Sequence, residues 1–166
     1  MASKYLPPKD SQKYKNFYTI LASTHGWTTV ILFFYYTNQI TPKAVLYSEV
    51  LTTAIKWKAE LNYGYTLKDY DLTAHHLMVF TSIYIMLTFY QDYAYIIPNA
   101  FIIHLPLTFN CLKRIQNQTT DHKKIKLYES LYLTTWLPTS IFRTIYILHS
   151  RAAEHRHQTR RAGIGG

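Results

Sequence analysis

Six ionisable residues stand inside otherwise apolar stretches of this chain: His25, Glu49, His75, His76, His104 and Arg143. Histidine can take or give a proton near neutral pH, and a carboxylate can orient it as a general base. Two histidines on different helices can also ligate a haem iron axially, and an arginine can hold a phosphate or carboxyl group. In hydrocarbon such groups are costly, so they turn towards protein interior, water or a substrate. A plainer role competes for each histidine, an interhelical hydrogen bond or a place near the headgroups. The adjacent His75 and His76 lie about 100° apart around a helix, so one can face a cavity while the other bonds a neighbour. Cys111 is the only cysteine. It excludes an intramolecular disulfide and a thiolate zinc centre, and no metal site is expected.

The elements that must position these residues are helices. Asn16 to Gln39 contains ILASTHGWTTVILFFYY, about 20 residues without formal charge and long enough to span a bilayer. Thr41-Pro42 reads as an N-cap with proline at the first helical position, opening a helix from Pro42 to about Leu61. Its apolar centre is short and contains Glu49. Asp71 to Phe89, Ala94 to Leu112 and Leu127 to His149 complete the set. Pro98 and Pro106 fall in the fourth segment and predict a kink, because each frees a carbonyl. The fold expected is all-α, a polytopic transmembrane bundle of about five spans. A polar N-terminal segment (1–15) precedes the helical domain (16–149), and a basic tail (150–166) follows it.

The chain carries a formal charge of +9, and it is 48% apolar with 16 tyrosines. The mean hydropathy of −0.13 averages apolar blocks with basic ends. Nearly all cations fall between those blocks, a membrane pattern; a nucleic-acid binder would interleave them with aromatics on one face. If all five segments span, and Arg143 is left out of the count as membrane-embedded, twelve Lys and Arg share the N-terminal side against five on the other. If the second segment lies on the surface, the split becomes eight against nine. The five-span arrangement therefore holds, with the N-terminus inside and the tail outside. MASKYLPPKDSQKYK has no apolar core or cleavage site, so no cleaved secretory signal is expected there.

The run YGYTLKDYDLTAHHLMVF, Tyr63 to Phe80, resembles the TLC-domain family, which includes the ceramide synthases. Gly64-Tyr65 with Asp69 is similar to the family's glycine-tyrosine-x-x-x-aspartate segment. Asp71 with His75-His76 is similar to the acid and histidine pair that open its next span. Ser23-Thr24-His25-Gly26, the stretch from His104 to Asn110 before Lys113-Arg114, and Trp136 with Phe142-Arg143 fall in the family's order. The resemblance implies acyl transfer from acyl-CoA to a lipid amine, with His75 or His76 as catalytic base and Arg143 near a phosphate or carboxyl. The chain departs from the pattern downstream. A His-Asp and a further Asp are expected roughly 25 to 30 residues after the histidine pair. His104-Leu105-Pro106 stands there instead, with no acid until Asp121. Glu49 and Asp71 are the remaining carboxylates that could orient a histidine.

The expectation is accordingly a non-catalytic, TLC-like accessory subunit of a large membrane complex, using its polar pocket residues His25, Glu49, Asp71, His104 and Arg143 for lipid or subunit contacts. Spans rich in Tyr, Thr and Ser suit helices that face protein. The alternatives are a ceramide synthase-like acyltransferase and a bis-histidine haem subunit, for instance through His75 and His104. The mitochondrial inner membrane is the favoured location, a respiratory or ATP-synthase assembly the favoured partner, and the endoplasmic reticulum the alternative. Lys113, Arg114, Lys123, Lys124 and Lys126 would meet anionic headgroups, each contributing roughly 1 kcal/mol. No cofactor is assigned; a phospholipid, cardiolipin in a mitochondrial setting, is the candidate ligand, and no spacing demands haem.

Overall fold

A computed structural model describes residues 11–65, 70–89, 101–117 and 121–162, the last stretch as backbone alone from 147. Ser11 opens the first helix, α1 (Gln12–Tyr36), its hydroxyl accepting the Tyr14 N–H at 3.1 Å. That satisfies one of the four N–H groups a helix start leaves unpaired. A tight turn with Asn38 at φ 59° leads to Thr41, which caps α2 (Pro42–Tyr63) by accepting the Ala44 N–H. Gly64, at φ 130°, ends α2 in a conformation that a side chain would strain. Helix α3 (Tyr70–Phe89) follows. A 3-10 turn (Phe101–Ile103) then feeds α4 (His104–Gln116), and α5 (His122–Ala162) closes the chain. No strand occurs among the described residues.

The helices alternate in direction. Phe17 of α1 stacks on Tyr63 of α2 at 4.4 Å, with Tyr14, Tyr18 and Tyr65 around them. Arg114 of α4 donates to Tyr18 Oη at 3.0 Å, and Lys113 pairs with Glu129 of α5. The start of α1, the end of α2, the end of α4 and the start of α5 therefore share one end of the bundle. At the other end Tyr146 of α5 lies within electrostatic reach of Tyr36. Helix α1 is central and packs on both α2 and α4; α4 carries α5, and α3 attaches to the flank of α2. Leu46 and Ile83 make that last contact, with Val50, Val79, Met86, Leu87 and Phe101 around them.

Polarity is distributed inside out. Among the described residues the buried side chains include Thr24, Thr28, Glu49, Thr52, Thr53, Lys56, His76, His104 and Thr139, nearly as many as the buried apolar ones. Trp27, Phe33, Leu51, Leu77, Phe89 and Leu133 meanwhile stand exposed. A water-soluble bundle reverses this arrangement. Two helices among the described residues, α1 and α3, are long and apolar enough to cross a membrane. In α3 only His76 and Ile83 are buried, so most of this largely apolar helix is left uncovered.

The boundaries differ from the sequence reading at α1, α4 and α5; α1 begins at Gln12, inside the stretch read as the polar N-terminal segment. Helix α4 has 13 residues, about 20 Å, and begins at His104. Pro106 sits at its third position, where a missing N–H breaks no hydrogen bond, so it starts the helix and does not kink it. Helix α5 runs for 41 residues, roughly 60 Å along its path, with Pro138 inside it, and absorbs both the basic stretch before Leu127 and most of the basic tail. Lys56 was counted with a loop, yet it is buried on α2. On the five-span count this leaves eleven cations on the N-terminal side. Residues 1–10 of the N-terminal segment, Asp69, residues 94–100 with Pro98, and 163–166 lie outside the described residues.

Candidate functional site

Glu49, Thr52, Thr53 and Lys56 follow one another at the 3, 4 and 7 spacing that lines up on one helical face. On α2 that face points inward and closes on the Glu49 carboxylate, which is 2% exposed. Lys56 Nζ lies 3.0 Å from its Oε1, and Thr53 donates to the same oxygen at 3.2 Å. Thr52 donates to Oε2 at 3.1 Å and Thr28 of α1 donates to it at 2.9 Å. Helix α4 adds His104, whose Nε2 stands 3.5 Å from Oε1. On its other side, His104 Nδ1 meets His25 Nδ1 of α1 at 2.7 Å. Three helices thus converge on a single chain of contacts, Lys56, Glu49, His104 and His25. Each buried charge in it has a partner, as a low-dielectric interior requires.

A second polar contact holds α3. His76 Nε2 lies 2.5 Å from Glu60 Oε2 of α2, and the imidazole stacks on Trp57 at 5.5 Å between ring centres. Its Nδ1 is buried without a hydrogen-bond partner among the described residues. Neighbouring His75 meets it edge-on at 5.4 Å but is itself exposed. The two histidines therefore divide as their angular offset requires, one towards α2 and the other outward.

The remaining candidates do not join these clusters. Asp71 and Arg143 are exposed on α3 and α5. The pocket group named from the sequence therefore reduces to His25, Glu49 and His104, with Lys56 and the three threonines added. Among the basic residues, Lys113 is neutralised by Glu129 and Lys124 by Asp121. Arg114 lies over the Tyr18 ring at 5.3 Å, and Lys123 and Lys126 are exposed. Sequence reasoning missed Lys56, although its place seven residues after Glu49 on a helix was the available signal.

A groove of about 350 Å³ between α1 and α2 is walled by Ile20, Trp27, Leu51 and Ile55, with Thr24 and Thr52 at its base. The hydroxyls of both threonines bond within their own helices. The groove is thus chiefly apolar, and Glu49 is sealed behind Thr52. Both ring nitrogens of His104 face protein groups, which leaves neither for an iron atom. Among the described residues no three His, Cys, Asp or Glu side chains are grouped to hold a metal ion. The chain matches no family model, and neither the curated proteins nor the solved structures yield a match.

Proposed function

We propose that this chain is a membrane-embedded, non-catalytic subunit of a larger membrane assembly, a five-span TLC-like bundle whose outer faces meet lipid and partner helices. The observation that carries the reading is the inverted polarity: a sealed Glu49–Lys56–His104 interior beneath a surface of large apolar side chains. Helix α3 adds support, because two buried residues attach it to the rest and its other sides need cover. So does α5, whose length is about twice the roughly 30 Å of bilayer hydrocarbon. Against catalysis stands the carboxylate itself, which four donors already occupy. The mitochondrial inner membrane is the proposed setting, where anionic lipid such as cardiolipin would meet Arg114, Lys123 and Lys126.

Two fractionations test this. Alkaline carbonate should leave the chain in the membrane pellet, and its release into the supernatant would contradict embedding. In mild detergent it should migrate in a particle far larger than its own 19.6 kDa, inside purified mitochondria. Migration as a monomer removes the subunit reading. The acyltransferase alternative draws on the carboxylates behind His104 and His76. It requires acyl-CoA consumption that disappears when His75 and His76 are both replaced by alanine.

A further inference from the structure

The two sides of the α1–α2 pair differ. His25 and Gly26 turn α1 towards α4, and Leu46, Trp57 and Glu60 turn α2 towards α3. At about 100° per residue, Ile20, Ser23 and Trp27 fall on the opposite side of α1, and Ser48, Leu51 and Ile55 on the opposite side of α2. The groove between these helices therefore lies on the face that neither α3 nor α4 covers, with Ile20, Trp27, Leu51 and Ile55 all exposed along it.

Its shape and chemistry select an occupant. Thr19 to Trp27 cover about 12 Å along α1, so the volume of about 350 Å³ corresponds to a cross-section of about 30 Å². That admits one hydrocarbon chain, whereas a helix about 10–12 Å across could seat only single side chains there. The walls ask for no hydrogen bond. Thr19, Thr24 and Thr52 donate to carbonyls of their own helices, Trp27 donates to Ser48 at 3.0 Å, and Ser23 can turn to the Thr19 carbonyl. At the outer end stand cations. By the register that sets Phe17 on Tyr63 and Thr28 on Glu49, Lys58 is level with Thr19, and Lys15 lies one turn further out. Both lysines are exposed, and neither pairs with a carboxylate among the described residues. Tyr14, Tyr18 and Tyr63 cluster at this end, as amphipathic rings do at headgroup depth.

We infer that this groove holds one acyl chain of an anionic phospholipid, with the phosphate at Lys15 and Lys58 and the chain running inward to the bar formed by Trp27 and Ser48. A chain gains no hydrophobic energy by leaving bulk lipid for the groove, so selection falls to the fit of the walls and to the two cations. The lysine stems are long enough to carry their ammonium groups to the headgroup while packing along apolar surface. Thr52 at the base keeps the chain away from the Glu49 carboxylate. The inference deepens the membrane-subunit reading and rests on its claim that the chain is embedded.

Photoactivatable lipid tests it on the full chain in phosphatidylcholine vesicles. Phosphatidylglycerol carrying a diazirine midway along one chain should label residues 19–27 and 48–55 in preference to the exposed faces of α3 and α5. A phosphatidylcholine probe with the same chain should label the groove at least about fivefold less, the contribution of one cation at an anionic headgroup. K15Q/K58Q should bring the two probes level. S23F fills the groove without touching either lysine, and it should abolish labelling at Leu51 and Ile55 while labelling of α3 stays unchanged. Even labelling of every exposed face by both probes overturns the inference, as does groove labelling that S23F leaves intact. Alkaline carbonate on the same vesicles separates the two claims: a chain kept in the pellet with an unlabelled groove refutes the lipid site alone, and a released chain refutes both. Cross-links from I55C to another protein in native membranes would show a partner helix in the groove and rule out the lipid.

Discussion

Replacing Lys56 by methionine strips the buried Glu49 carboxylate of the ammonium that lies 3.0 Å from it. At an effective dielectric near 20, that separation corresponds to about 5 kcal/mol of attraction. Three threonine hydroxyls would still donate to the carboxylate, each worth about 1.5–3 kcal/mol to a charged group, so the loss is partial. Removing one member of a buried pair costs about 3–5 kcal/mol, and K56M should fall in that range. The double variant E49Q/K56M buries no charge and should lie within about 2 kcal/mol of wild type. K113M supplies the contrast: its pair with Glu129 is 26% and 48% exposed, and its loss should cost about 0–1 kcal/mol. Reversible unfolding in mixed micelles, followed by tryptophan fluorescence, measures all three. A K56M cost below about 1 kcal/mol, or a double variant as unstable as K56M, would refute the account of the network.

Ile83→Ala should cost about 2–5 kcal/mol and raise hydrogen exchange along α3 more than along α1, because Ile83 is one of two buried residues on that helix; equal effects on both helices would contradict the attachment described. Tyr63→Ala removes a ring stacked on Phe17 and should cost about 3–5 kcal/mol in the same unfolding measurement, while Tyr63→Phe should cost far less. Asp121 accepts the Lys124 backbone N–H at the start of α5, and this bond, with the Lys124 side chain, holds its carboxyl below the usual carboxylate range. Its contribution is present above the unfolded carboxylate value and lost as pH falls through the lowered folded one. Acid should therefore lower the protection of the Lys124 amide, its exchange rate taken relative to the intrinsic rate at each pH, in wild type, and that loss of protection should vanish in Asp121→Asn.

Much of the helical order was legible. Thr41-Pro42 marked the start of α2 because cap and proline act locally, and the alternating directions followed from where cations cluster. The ends of α1 and α5 were harder. Lys13 and Lys15, and the cations around Leu127 and beyond His149, are too polar for a hydrocarbon span, yet a helix needs no apolarity to propagate once its turns are formed. The site was half visible. Glu49, Thr52, Thr53 and Lys56 lie on one helical stripe that periodicity alone exposes. The His25 to His104 bond joins residues 79 positions apart, and only tertiary packing brings them together.

On the membrane-subunit reading proposed above, the makeup of the Glu49 network also bears on how the chain would enter a bilayer during synthesis. An α2 carrying Lys43, Glu49, Lys56, Lys58 and Glu60 is a poor candidate to partition into lipid alone, where each central charge costs about 2.5–3.5 kcal/mol. Among the described residues, every group that donates a hydrogen bond to Glu49 belongs either to α2 itself or to α1, already made when α2 leaves the ribosome. On that reading the first two helices would insert as a pre-neutralised hairpin, and α3 would follow by its own hydrophobicity. His104 arrives last, as a latch on a structure already in place.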